Sequence, residues 1–281
     1  IAIEQAMKPG ETYPRTFGYP EIYGAEASAR YLATYHRACA DTVKAAVDVF
    51  HTVGVKGFRN TTRGGCWAYQ NDHDGTGQEM LAQVLDYLHL DPYPVAGDRY
   101  NEGCIPFDLQ YMKGLSRRYN KPIINWMQAH AFGSGGLTHP TPEQIDRMYA
   151  QVREIRPDAI MWLGYGWDKK ITHCTFPWQR PDSWDRAKAC HADFHQLAPD
   201  PLKRADIAVV RTYLDRAAVT GRGDRTLRDR ALEAEVRQLV KAGTPYDIFE
   251  VPPDLSDDAR RRLRDELVLY TTIIPSDFKI D

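Results

Sequence analysis

The chain has 281 residues, 43% hydrophobic and 26% charged, with 36 Lys and Arg against 38 Asp and Glu and a formal charge of −2. That balance suits a globular enzyme and argues against long disorder, which needs few apolar residues and a large net charge. It also argues against nucleic-acid binding through a basic field, and no stretch reaches the roughly 18–20 consecutive apolar residues of a membrane span.

In chain order, Ile1-Ala2-Ile3-Glu4 reads like the inside of a strand. A helix is predicted from about Glu26 to Thr52, with Tyr31, Tyr35, Cys39, Val43, Ala46 and Phe50 at steps of three and four forming one apolar face, and Gly54 stopping it. Val53 to Phe58 reads as a strand, followed by a polar, Gly-rich loop from Arg59 to Gly65 that is free to approach a ligand. A helical stretch from about Gly77 to Val84 precedes a short strand, Tyr87 to Pro94, ended by prolines that cannot continue a ladder. Phe107 to Tyr119 is helical, and Lys121 to His130 is a buried-type strand running into the Gly-rich segment 132–136.

Thr141-Pro142-Glu143 is a helix start, with Thr as cap, Pro in the first turn and Glu at the positive end of the dipole; that helix runs to about Ile155. Asp158 to Leu163 is the next strand. Apolar strands alternating with amphipathic helices imply a parallel sheet covered by helices. Polar and aromatic residues gather after each strand, where a (β/α) barrel keeps its catalytic face, although alternation alone does not separate a barrel from an open doubly wound sheet. After Pro199 the pattern becomes a βαβαβ unit: strand Ala205–Val210, helix Leu227–Ala242, strand Tyr246–Val251, helix Asp257–Glu266 with a solvated arginine face, and strand Leu267–Ile274. The boundary is placed there, dividing residues 1–199 from 200–281.

Other features narrow the chemistry less. The 16 Tyr, 9 Phe and 6 Trp include several beside Gly, Pro, Asn or Asp, where exposed rings would suit sugar stacking, though core is the ordinary place for any one of them. Cys39, Cys66, Cys104, Cys174 and Cys190 are odd in number and lack a CxxC pair, so neither a zinc ribbon nor a full disulfide framework is indicated. His191 and His195 stand at i, i+4 without an HExxH signature and read as solvated or structural. No metal and no cofactor is expected. Asn60-Thr61-Thr62 fits a glycosylation sequon, and the compartment stays open between cytoplasm and secretion.

The run Asp91-Pro92-Tyr93-Pro94, then Lys121-Pro122 leading into Ile123-Ile124-Asn125-Trp126-Met127-Gln128, then Pro142-Glu143-Gln144 and Ala159-Ile160-Met161-Trp162 resembles the later half of a glycoside hydrolase barrel. The likeness is to family 42 beta-galactosidases and related glycosidase-like proteins. It implies an α/β chain: the C-terminal part of a (β/α)8 TIM barrel, strands four to eight, followed by a partial flavodoxin-like doubly wound domain. That domain is related in shape to amidotransferases and, in the family, forms oligomers, so a homo-oligomer is implied. Counting back from the likeness makes Ile1–Gln5 the fourth strand and leaves strands one to three absent, so the 281 residues read as a piece of a longer enzyme. An active amidotransferase is set aside, because no Cys lies after residue 200.

Glycosidases work with two carboxyls. In the resembled family the acid/base is a Glu ending the fourth strand and the nucleophile a Glu ending the seventh. Glu4 falls at the first place, although Ile3 stands where the family has Asn, and Glu21 is the reserve. The second place holds Gln128, whose amide cannot attack an anomeric carbon as a carboxylate does. Three readings stay open: an inactive carbohydrate binder, a divergent enzyme using Asp91 or Asp168, or a substitution that traps substrate. Asp91 is the most specific acidic position, as a catalytic carboxylate, a sugar ligand or a turn cap. Trp126, Trp162, Tyr165 and Trp167 are expected to offer a stacking surface. Asn60, Arg63 and Trp67 would join from the fifth-strand loop, with Tyr93, Gln128, His130 and Asp168 completing a carbohydrate site.

Overall fold

The structure is a computed structural model that describes residues 25–58, 77–96, 99–129, 139–163, 180–217 and 227–280. Helix α1 (Ala25–Thr52) ends at Gly54, whose φ of 74° is a left-handed conformation that glycine adopts without a Cβ penalty. The buried face of α1 is Ala29, Leu32, Ala33, His36, Ala40 and Val47, not the expected stripe, of which Tyr31 and Phe50 are exposed. The period was legible, but two adjacent stripes of one helix carry apolar residues, and the close approach of Tyr213 favours the one with small alanines.

Residues 53–58 form no strand. Their amides are used otherwise: those of Val53 and Val55 donate to the Phe50 carbonyl, and that of Gly57 donates to Asp86 Oδ2 at 2.7 Å. A ladder needs those groups unclaimed.

Helix α2 (Gln78–Val84) leads to strand β1 (Leu88–Leu90). A small hairpin follows, β2 (Val95–Ala96) and β3 (Arg99–Tyr100), which the sequence reading did not include. Helix α3 (Cys104–Tyr119), strand β4 (Ile123–Gln128), helix α4 (Pro142–Ile155), strand β5 (Ala159–Leu163) and helix α5 (Pro181–Phe194) complete the first unit. The start of α4 is a full capping box: Thr141 Oγ1 accepts from Gln144 N, and Gln144 returns the bond to Thr141 N. Among the described residues, β1, β4 and β5 form a parallel sheet in that order.

The remaining elements are β6 (Ile207–Thr212), the short α6 (Tyr213–Ala217), α7 (Leu227–Lys241), β7 (Asp247–Val251), α8 (Asp257–Leu267) and β8 (Thr272–Ile274). They make a second parallel sheet of order β7-β6-β8. The expected strand 267–274 shrinks to its last residues, because Leu267 ends α8 while Val268 and Leu269 turn outward, 72% and 53% exposed.

Helix α3 joins the two sheets. One face packs Ile105, Leu109 and Leu115 into a core shared with Ile123 and Met127 of the first sheet and Val209 and Ile248 of the second. Where it crosses β7, a Cβ on Gly114 would sit 2.8 Å from the Tyr246 carbonyl oxygen and 3.1 Å from Ile248 N, so only glycine allows this spacing. Ion pairs line the same seam: Arg117 with Asp247 at 2.6 Å, and Arg118 with Glu79 at 2.7 Å. Burial pushes the Glu79 carboxyl up against the opposing pull of the Arg118 guanidinium. No helix among the described residues is long and apolar enough to cross a membrane.

Candidate strand-end site

Parallel strands end on one edge, so the residues after β1 and at the end of β4 meet there. Side chains alternate between the two faces of a sheet, and cross-strand register says which ones share a face. His89 is level with Ile124, and Trp126 with Met161. One face therefore carries His89, Asp91, Trp126, Gln128 and Met161. Leu90, Asn125, Met127 and Trp162 lie on the other.

Asp91 is 4% exposed and accepts a hydrogen bond of 2.7 Å from the Tyr93 hydroxyl. Pro92 between them fixes φ and holds the turn that brings the two side chains together. Asp91 is thus a carboxyl at a strand end with an oriented neighbour, placed on the same sheet face as an indole. His89, in the strand before it, is buried and meets Trp126 edge-on, ring centroids 4.8 Å apart at 89°, with the Phe58 ring centroid at 5.3 Å. Burial takes the His89 imidazole down to about 4, so it is neutral near pH 7. The sequence reading did not single out His89, although standing two residues before Asp91 in a strand puts it on the same face.

Two expectations change. Trp162 stands level with Met127 and packs against the core beneath the helices, so it shares no face with Trp126 and adds nothing to a stacking surface there. Trp126 and Trp162, two of the four residues expected to stack, differ by an odd number of register steps, which the sequence does not display. Gln128 is 1% exposed, with Oε1 accepting from Val95 N at 3.0 Å and Nε2 donating to Val95 O at 3.0 Å. Its amide completes the backbone of the residue that opens the β2–β3 hairpin, and these two bonds take one of its two N–H donors and one of the two lone pairs on its oxygen. Tyr93 likewise directs its hydroxyl at Asp91.

Glu4, Glu21, Asn60, Arg63, Trp67, His130, Tyr165, Trp167 and Asp168 lie outside the described residues. Among the described residues, no three His, Cys, Asp or Glu side chains gather as a metal site, and Cys39 and Cys190 are free thiols.

No family model and no curated protein matches this chain. Solved structures do. A polyextremophilic beta-galactosidase from the Antarctic haloarchaeon Halorubrum lacusprofundi superposes with a TM-score of 0.56 at 16% identity, over 92% of this chain and 42% of that one. A GH5_18 protein from Bifidobacterium longum subsp. longum gives 0.51 at 14% identity, over 85% of this chain and 60% of that one. A GH5_18 variant from Streptomyces cattleya, in complex with Manb1-4GlcNAc, gives 0.50 at 14% identity, over 94% and 75%. The chain shares an α/β fold with glycoside hydrolases, and it spans less than two thirds of the first two of these chains.

Proposed function

We propose that this chain carries part of a carbohydrate site of the glycoside hydrolase type, at the strand ends of a (β/α) barrel. The observation that carries the reading is the buried Asp91, held by Tyr93 on the sheet face that also bears Trp126. A carboxyl and an indole on one sheet face match what sugars require, a charged hydrogen-bond acceptor and an apolar ring. Asp91 then serves as one of the two carboxyls of a glycosidase, and its partner comes from Glu4 or Asp168.

A second reading is a carbohydrate binder without turnover. It is favoured by Gln128, whose amide is committed to Val95 where the resembled family has its nucleophile. We also read residues 200–281 as a partial flavodoxin-like domain. The order β7-β6-β8, with the first strand of the unit in the centre, is the order with which such sheets begin.

The experiment is a panel of aryl glycosides and oligosaccharides, assayed for turnover and for binding with the wild-type chain, D91N and W126A. In the first reading D91N loses turnover by about a hundredfold or more while W126A weakens binding. In the second there is no turnover, and W126A alone removes binding. A panel with neither turnover nor binding overturns both.

A further inference from the structure

We propose that His191 and His195 form a bidentate site for a divalent first-row transition cation, with Cu2+ and Ni2+ the best fit. The two residues stand one turn apart on α5 and its C-cap, a spacing that puts both rings on one helix face. Their Nε2 atoms are 3.0 Å apart, with ring centroids at 4.6 Å and planes at 81°. Imidazole nitrogens bind such metals at about 2.0–2.1 Å, so two of them at right angles around one ion are about 2.9–3.0 Å apart, whereas a tetrahedral angle needs about 3.4 Å. The observed spacing is close to the right-angle one, and the general affinity order of divalent first-row cations at nitrogen sites puts Cu2+ ahead of Ni2+ and Zn2+. Without a cation, the same spacing is bridged by one N–H shared between the rings.

The surroundings leave room for the remaining ligands. Both histidines line a cavity of about 230 Å³ together with Asp158 and Asp200. Those carboxylates are held in place, Asp158 by the Ile123 amide at 2.7 Å and Asp200 by Lys113 at 2.9 Å. They offset Arg156, the cation in the same wall. Water would fill the positions on a bound cation that the two rings leave open. His191 Nδ1 is buried without a hydrogen-bond partner, so the ring lacks the outer acceptor that metal-binding histidines use. The site is therefore expected to be about 10–100-fold weaker than sites that have one. A bound cation would tie the last turn of α5 to its C-cap, just ahead of the connection into β6.

The test is calorimetric titration of the chain with CuCl2, NiCl2 and ZnCl2 in a non-coordinating buffer, with the visible absorption of Cu2+ and Ni2+ as a second readout. Wild type is expected to bind one equivalent saturably, in the order Cu2+, Ni2+, Zn2+. H195A, at an exposed position, and H191Q should each lose at least tenfold in affinity, while H51A keeps it. A hundredfold excess over Kd should raise Tm by roughly 4–5 °C in wild type and not in H195A. Unchanged affinity in H195A, or no saturable equivalent in wild type, overturns the proposal.

Discussion

Replacing Gln128 by Glu is the change that a search for a missing nucleophile would suggest, and the structure says it fails in a specific way. The Gln128 amide gives Val95 both an acceptor and a donor, each at 3.0 Å, in a site that is 1% exposed. An ionised Glu keeps the acceptor but turns a second oxygen toward the Val95 carbonyl. One hydrogen bond is lost and a buried carbonyl is left unpaired, about 1–3 kcal/mol, with the burial of a charge added. We expect Q128E to be destabilised by about 2–4 kcal/mol at pH 7.

A protonated Glu has an O–H donor and a C=O acceptor, which is the pattern of the amide, so the cost should vanish in acid. The folded-state pKa of this Glu is raised above its unfolded value near 4.3, and about 1.4 kcal/mol per unit places it near 6–7. The folded state then holds the extra proton between these values. Relative to wild type, stability is full below about pH 4.3, falls as pH rises through the folded pKa, and is flat above it. Urea unfolding of wild type, Q128E and Q128M from pH 4.5 to 8 measures this. Q128M, which has no charge to titrate, should show a constant deficit. A pH-independent difference for Q128E, a cost below about 0.5 kcal/mol, or a gain of glycosidase turnover would refute the reasoning.

Three further outcomes follow from particular contacts. His89 is taken down to about 4 by burial, so the unfolded chain binds more protons between there and 6.5. Stability should then fall as pH drops through that window, by about 1.6 kcal/mol between pH 6.5 and 5, and H89F should remove that share of the acid dependence in urea melts. G114A forces a methyl to within 2.8 Å of the Tyr246 carbonyl oxygen, and thermal melts should show a loss of about 1–3 kcal/mol, whereas a neutral result would mean α3 and β7 can separate freely. Arg211 and Asp229 pair at 2.9 Å with side chains 1% and 0% exposed, so R211M alone should cost about 3–5 kcal/mol, and the double change R211M/D229L should recover much of it.

Local signals were strong enough to set most elements from sequence. The Thr141-Pro142 start of α4, the Gly54 stop of α1 and the apolar runs of β4, β5 and β7 all formed within a few residues of where periodicity and capping put them. They depend on neighbours in the chain, and a parallel α/β arrangement follows once apolar strands alternate with amphipathic helices. Asp91 at the end of β1 was legible for the same reason, since Pro92 and Pro94 mark where the ladder stops.

What depends on partners distant in sequence was decided only by tertiary structure. Residues 53–58 lose their strand because the α1 C-terminus and Asp86 take their amides. Which stripe of α1 is buried waits on Tyr213, 177 residues from His36, which accepts or donates the bond at 2.8 Å. Trp162 faces the helices because register, a relation between two strands, sets which side chains share a face. Gln128 reads from sequence as a nucleophile replaced by an amide. In the fold it is the side chain that satisfies both polar groups of Val95, and a residue with one donor and one acceptor is what that backbone requires.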